Sequence, residues 1–284
     1  MTRIAYVNGE FVPLEDAKIS VLDRGFLFGD GVYEVTAVVD GKLFDNEAHL
    51  ARLERSLGEI EMGHPVPLDT LTDLQLELAR RNNLTEGAIY LQITRGAAER
   101  DFAYPKDATP SLVMFTQVKS LVHDPRAEKG ARVITTPDLR WKRRDIKSVS
   151  MLAQTMAKQE AAKAGALEAI MVEDGVVTEG SSSTAWIVKD GKLITRALSN
   201  SVLPGVTRRS IMALCEENGM EVEERTYTLD ELHNADEAFI TAATTLVMPI
   251  VQVDDRILSN GAPGEVATRL RSLYIQMGRE TAIG

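Results

Sequence analysis

Cysteine is almost missing from this chain: Cys215 is the only one in 284 residues. That excludes an intramolecular disulfide framework and a cysteine-rich zinc site. Its setting, Ile211-Met212-Ala213-Leu214-Cys215, is apolar and helical, which suits a buried, inert thiol rather than a nucleophile. No stretch approaches the ~18 consecutive apolar residues of a membrane-crossing helix. The opening residues, Met-Thr-Arg-Ile-Ala-Tyr-Val-Asn-Gly-Glu, lack the basic-then-apolar order of a signal peptide. A cytoplasmic protein with no membrane partner is therefore expected. The four histidines (His49, His64, His123 and His233) show no ligand spacing, so no metal site is expected. An excess of positive charge is missing too. Lys and Arg number 32 against 42 Asp and Glu, a net charge of −10, which disfavours nucleic acid and anionic membranes as partners. Neither a serine nucleophile elbow nor a Walker-type phosphate loop occurs.

What is present is ordinary for a soluble globular protein: 44% hydrophobic and 26% charged residues. The length suits one large or two ordinary domains. Arg3–Val7 reads as a strand, and Asn8-Gly9 is a hairpin turn signal returning through Glu10–Pro13. Ala17–Leu22 reads as a further strand or edge segment. Three glycines fall within 25–31, where the backbone must bend tightly or lie close to something. Val32–Val39 is β-rich, and residues i and i+2 of a strand share a face, which groups Tyr33, Val35 and Ala37. Asn46–Met62 has Leu50, Leu53, Leu57 and Ile60 at helical spacing, with Arg52 off that stripe. Leu68–Leu84 is a second helix, and Gly87–Arg95 and Ser111–Val118 are strands. Residues 1–118 thus form a smaller α/β domain of α+β character. The polar, proline-containing stretch 119–130 reads as a linker, and 131–284 as a larger second domain.

In that second part, Leu152, Ala153, Met156, Ala157, Ala161 and Ala164 mark one apolar stripe on a helix. Strands at 131–136, 168–172, 176–178, 184–188, 192–195, 222–226, 238–242 and 249–253 alternate with turns, and helices fall at 208–218 and 265–277. The stretch Asp138–Ser150 carries five Arg or Lys in thirteen residues of an acidic chain. Within it, Lys147 follows the apolar Ile146 just before a helical run. A neutral lysine amine can attack a carbonyl and form a Schiff base. A solvated basic turn is the alternative. Arg143 and Arg144 are available either to act on Lys147 or to bind a carboxylate. Pro204-Gly205-Val206-Thr207 sits at a helix start, where exposed N–H groups and the helix dipole favour an anion. An ordinary helix capped by Thr207 is the alternative. Glu179-Gly180 precedes Ser181-Ser182-Ser183, a carboxylate and hydroxyls able to hold a polar ring or simply to form a turn. Tyr33 beside the glycine-rich loop and Arg100 in the loop 96–110 are candidates to orient a substrate and grip its carboxylate. A half-buried core tyrosine and a solvated arginine are the alternatives.

In order and spacing these pieces resemble the pyridoxal-phosphate-dependent, fold-type IV (class IV) aminotransferases, most closely the D-amino-acid transaminases. The resemblance runs from about Tyr6 to Met277. It rests on Asp23-Arg24-Gly25 with Phe28-Gly29-Asp30-Gly31-Val32-Tyr33-Glu34-Val35, His49–Leu53, Thr94-Arg95-Gly96, Asp145-Ile146-Lys147-Ser148, Ala157–Ala161, Val177–Ser183 and Gly205–Arg208. It implies a second domain with a β-barrel-like sheet core, pyridoxal 5'-phosphate as cofactor, amino-acid and 2-oxo-acid substrates, and a homodimer. It implies Lys147 as the Schiff-base lysine and Glu179 as partner of the pyridine nitrogen, whose protonation makes the ring a better electron sink. Arg52 with Gly205, Val206 and Thr207 would hold the phosphate, and Leu203 and Ser182 would flank the ring. Tyr33, Val35 and Arg100 would face the substrate.

Two departures stand out. Members of this group carry Arg-x-His where this chain has Arg100-Asp101-Phe102, so the histidine is replaced by Phe102. Arg24, Arg143 and Arg144 are candidates to compensate. The usual phosphate-binding threonine aligns with Ala243, which makes Thr244 the expected hydroxyl donor. Branched-chain L-amino-acid aminotransferase, (R)-amine transaminase and aminodeoxychorismate lyase activities on the same fold remain open alternatives.

Overall fold

The computed structural model describes residues 2–284. The chain divides into two compact units. The first comprises residues 1–121, 146–150 and 278–284, and the second 122–145 and 151–277.

The first unit is built on a six-stranded sheet. Its elements are β1 (Ile4–Val7), β2 (Glu10–Pro13), α1 (Arg24–Phe28), β3 (Gly31–Val39), β4 (Lys42–Leu43), α2 (Asn46–Glu59), α3 (Leu68–Arg81), β5 (Gly87–Thr94) and β6 (Ser111–Val118). The strand order is β2-β1-β6-β5-β3-β4. Leu53 and Leu57 of α2 and Leu71 and Leu78 of α3 are fully buried against Val32, Ile89, Leu91 and Ile93. Ile146 joins the same core. Asp23 and Gly29 punctuate α1. The Asp23 side chain accepts from Gly25 N, and Gly29 ends the helix at φ +67, the left-handed cap that suits glycine. So the glycine-rich stretch folds as a one-turn helix rather than a bare loop. The expected strand over Ala17–Leu22 does not form, and these residues lie mostly exposed.

The second unit holds α4 (Pro125–Lys129), β7 (Ala131–Pro137), α5 (Leu152–Lys163), β8 (Glu168–Glu173), β9 (Val176–Gly180), β10 (Thr184–Lys189), β11 (Lys192–Thr195), α6 (Val206–Glu217), β12 (Val222–Glu224), α7 (Leu229–His233), β13 (Glu237–Ala242), β14 (Leu246–Val253), β15 (Arg256–Ile257) and most of α8 (Glu265–Thr281). The main strand order is β12-β11-β10-β13-β14-β7-β8-β9. β7 runs parallel to both β14 and β8. β9 returns beside β10, so the sheet curls into a half-barrel. Val133, Ile170, Val177, Ile187, Ile240 and Met248 supply its apolar core. Asp40-Gly41, Asp174-Gly175 and Asp190-Gly191 all take positive φ at both residues, the conformation that two-residue hairpin turns demand.

Three local expectations need correction. Within 119–130, Leu121 is buried and Asp124 caps α4 through Arg126 N at 2.9 Å, so this is not a bare polar linker. In α5 only Ala157 and Ala161 are buried, while Leu152 and Met156 of the anticipated stripe are 76% and 51% exposed. α8 runs on to Thr281. Among the described residues, no helix is long and apolar enough to cross a membrane.

Candidate active site

Lys147 belongs to the first unit. The segment around it docks along the start of β3. Tyr33 N donates to Lys147 O at 3.0 Å, Val149 N donates to Gly31 O at 3.0 Å, and Val32 bridges Ser148. With Ile146 sunk in the core, the backbone is held on both sides of the lysine. Its side chain is half-buried, and Nζ stands 4.2 Å from the centroid of the Tyr33 ring. Tyr33 stacks on Tyr90 at 5.5 Å, and Tyr90 on Phe115 at 4.9 Å. Tyr33 and Val35 are both half-buried on one face of β3, as strand alternation requires.

The opposite face of β3 carries Glu34. Its carboxylate accepts from Arg52 Nε at 2.8 Å and Arg52 Nη2 at 2.7 Å, and it pairs with His49 Nδ1 at 2.8 Å. Burial by itself would raise the Glu34 carboxyl, but the Arg52 charge and the Arg52 and His49 hydrogen bonds outweigh it and hold the group at about 2. Arg52, expected as a phosphate ligand, thus spends one edge of its guanidinium on an internal carboxylate.

Arg100 is exposed in the loop 96–110. Its guanidinium carbon lies 5.2 Å from the Phe28 centroid and 5.5 Å from the Phe102 centroid. Arg24 is buried and committed. Its Nε donates to Asp30 at 2.8 Å and its Nη1 to Asp101 O at 2.5 Å, so it does not offer itself to a substrate carboxylate.

In the second unit, Glu179 at the end of β9 is fully buried. It accepts from Leu203 N at 3.1 and 3.2 Å and from Arg140 Nη1 at 2.5 Å. Arg140 also grips Asp138 through Nε at 3.0 Å and Nη2 at 2.7 Å. Burial pushes the Glu179 carboxyl up from its ordinary value, with Arg140 and the Leu203 N–H pulling against it. Arg140 moves up as well: burial would lower it, but its two carboxylates prevail. Asp138 is drawn down despite burial, because Arg140 and Thr178 bond to it.

Gly205 caps α6, with no side-chain bond at the cap. The Val206 and Thr207 N–H groups point out of the first turn, where a helix offers donors without internal acceptors. Thr207 is therefore inside the helix and not its cap. A Cβ on Gly205 would meet Thr184 Oγ1 at 2.6 Å. Thr244 and Thr245 lie in the turn before β14. Thr245, not Thr244, holds a buried hydroxyl with no partner. Ser182 Oγ donates to Glu168 at 2.7 Å and Ser183 Oγ at 3.1 Å, and Ser181 Oγ bonds to the same carboxylate. The three serines are thus tied to one buried acid.

Arg143 and Arg144 are spoken for. Arg143 pairs with Asp145 at 3.0 Å, and Arg144 with Glu173 at 2.8 Å and Asp138 at 3.3 Å. Neither is a loose cation. Sequence reading assigned no role to Arg140, Glu34, His49 or Glu168. Glu34 left a signal: a lone carboxylate inside an apolar strand must find a cation when buried, and His49 and Arg52, three apart on α2, present one helix face. Arg140 gave no comparable signal in its basic run.

Comparison with known proteins places these features in a family. The model of amino-transferase class IV matches residues 31–253. A D-alanine aminotransferase of Bacillus licheniformis is 39% identical over 267 residues, covering 93% of each chain. Another, of Staphylococcus epidermidis, is 39% identical over 280 residues, covering 97% of this chain and 99% of its own. Among solved structures, an Escherichia coli branched-chain amino acid aminotransferase superposes with a TM-score of 0.90 at 25% identity, covering 98% of this chain and 95% of its own. A T.th. branched-chain amino acid aminotransferase with pyridoxamine 5'-phosphate gives a TM-score of 0.89 at 28% identity, covering 97% and 94%.

Proposed function

The chain belongs to the class IV aminotransferases, and on that premise we propose that it moves an amino group from a D-amino acid to a 2-oxo acid, using pyridoxal 5'-phosphate. The observation that carries the D-amino-acid reading is the 39% identity, along nearly the whole chain, to enzymes named D-alanine aminotransferase. The branched-chain enzymes match in fold at lower identity, 25% and 28%.

The donor set fits this cofactor. A half-buried lysine amine suits its aldehyde, and a buried carboxylate held by an arginine suits its ring nitrogen. A helix start with uncapped N–H groups suits its phosphate, and the unpartnered Thr245 hydroxyl is a further donor for that group. When bound, pyridoxal phosphate supplies an aldehyde that takes up the amino group and a ring that withdraws electrons from the substrate carbon.

The protein's part follows from its own residues. Lys147 Nζ would hold the cofactor's aldehyde, and as a free amine it would take and return the proton of the reacting carbon. The Tyr33 face beneath it limits where the amine can swing. Glu179, fixed by Arg140 and Leu203 N, would offer a negative partner to the ring nitrogen. Val206 and Thr207 N–H, with Gly205 giving close approach, would bind the phosphate, as would Arg52 and a hydroxyl of Thr244 or Thr245. Leu203 and Ser182 would flank the ring. Tyr33, Val35 and Arg100 face the substrate, with Arg100 binding its carboxylate.

We also propose that the enzyme is a cytoplasmic homodimer. The lone, buried thiol suits a reducing compartment. Val21, Phe26 and Phe102 of the first unit are each more than 70% exposed, and such apolar exposure suits association.

The test is spectroscopic. The purified enzyme is mixed with D-alanine, D-glutamate, L-leucine or (R)-1-phenylethylamine singly, and conversion of the visible cofactor band to the pyridoxamine form is followed. D-alanine should convert it and Lys147→Ala should not. Conversion by L-leucine alone would overturn the D-amino-acid reading in favour of the branched-chain one.

A further inference from the structure

The loop 96–110 bears Arg100, and its hold on the first unit is unusual. Gly96 opens it at φ +90, where a Cβ would sit 1.9 Å from Thr109 O. Beyond that pinch, Arg24 reaches into the loop from α1. Its side chain is 3% exposed. Nη1 donates to Asp101 O at 2.5 Å and Nη2 to Phe102 O at 3.4 Å. Its Nε pairs with Asp30, but Arg95 Nε pairs with the same Asp30 oxygen at 2.8 Å. One carboxylate thus serves two buried arginines, and the loop carbonyls complete the solvation of Arg24. A buried guanidinium is costly unless its donors are satisfied, so the loop backbone and Arg24 hold each other in place.

The rings extend this. Arg24 Cζ lies 4.7 Å from the Phe28 centroid, Arg100 Cζ lies 5.2 Å from it, and the Phe28 and Phe102 centroids are 5.5 Å apart. Arg100 therefore sits against two aromatic faces, an arrangement that attracts and orients a guanidinium. Phe102, standing where a histidine was expected, is one of those faces.

We propose that Arg24 is a positioning residue for Arg100. It pins the Asp101 and Phe102 carbonyls so that Phe28 and Phe102 present a single arginine to the substrate carboxylate. The inference rests on the reading of Arg100 as the carboxylate-binding group. In this loop orientation by rings takes over what a second polar donor would otherwise do.

The test uses the holoenzyme and four variants: Arg24→Met, Arg24→Lys, Phe102→Ala and Arg100→Met. KM and kcat for D-alanine are measured alongside backbone amide exchange across residues 97–105. Arg24→Met should speed that exchange at least tenfold and raise KM at least tenfold, with kcat within about threefold and the cofactor band unchanged. Arg24→Lys should recover part of both effects. Phe102→Ala should raise KM about three- to tenfold with little change in exchange, which keeps the proposal testable if Arg24→Met folds poorly. Arg100→Met should raise KM with exchange unchanged. Unchanged exchange in Arg24→Met, or faster exchange with KM unchanged, overturns the positioning role. A loss confined to kcat and the cofactor band overturns it too. If Arg100→Met keeps full affinity for D-alanine, the carboxylate reading itself fails; if Arg100→Met loses affinity and Arg24→Met does not, only the Arg24 proposal fails.

Discussion

Replacing Arg140 by Met should be among the most damaging single changes in the second unit. Arg140 satisfies two buried carboxylates at once, through bonds of 3.0 and 2.7 Å to Asp138 and 2.5 Å to Glu179. Methionine keeps much of the volume but leaves the acids without their shared cation. Removing one partner of a buried ion pair costs about 3–5 kcal/mol, because the remaining charge is stranded. At roughly 2–4 °C per kcal/mol for a unit of this size, Tm should fall by about 6–20 °C. Part of the loss is relieved if Glu179 takes up a proton, since burial already pushes that carboxyl up. The double variant Arg140→Met with Glu179→Gln should therefore be less damaged than the sum of the singles, by about 1–3 kcal/mol. Thermal unfolding of the cofactor-free protein, followed by circular dichroism, reads both quantities. A Tm within about 1 °C of wild type, or strict additivity, would refute the view that Arg140 holds the Glu179 charge.

Glu34→Gln should flatten the acid limb of the stability curve. The folded Glu34 carboxyl sits at about 2, below its ordinary value of 4.5. Its stabilisation is then present above pH ~4.5 and lost as pH falls toward 2. The shift corresponds to about 3 kcal/mol, and urea midpoints between pH 2 and 6 measure it. Thr245→Val removes a buried hydroxyl without a partner, so the cofactor-free protein should be unchanged or stabilised by up to ~1 kcal/mol. Its affinity for pyridoxal phosphate should fall several-fold, as judged by equilibrium dialysis. If Thr244→Val weakens the cofactor instead, the first-expected hydroxyl is the right one. Gly96→Ala combines a strained φ with a clash against Thr109 O and should cost about 2 kcal/mol or more in chemical unfolding.

Patterns of period and punctuation were legible where local physics decides them. The leucines of α2 and the Asp-Gly turns of β3–β4, β8–β9 and β10–β11 fall where their spacing and backbone preference require. The α5 stripe misled because Leu152 and Met156 lie roughly 100–180° round the helix from Ala157 and Ala161 and so face away from the buried pair. The residues proposed to carry the chemistry were visible mainly through their resemblance to a family. Their partners were not: Arg140, Glu168 and Arg24 are ordinary polar residues locally, and become special only when tertiary folding buries them beside particular carboxylates or carbonyls. Arg143 and Arg144 show the converse, since a basic run looks free in sequence while each arginine has an acid reserved for it.

The backbone pairing that holds Lys147 also bears on how the chain is made. β3 completes its edge only with Lys147 and Val149, and β4 only when Leu43 exchanges hydrogen bonds with Ile283. At ~5–20 residues per second a ribosome needs roughly 10–50 s to travel from Leu43 to Ile283. For roughly the first 5–20 s of that interval the nascent first unit lacks Ile146 from its core, and for all of it the Ile283 pairing at its edge. A fragment ending near residue 121 should thus be sticky and prone to chaperone capture.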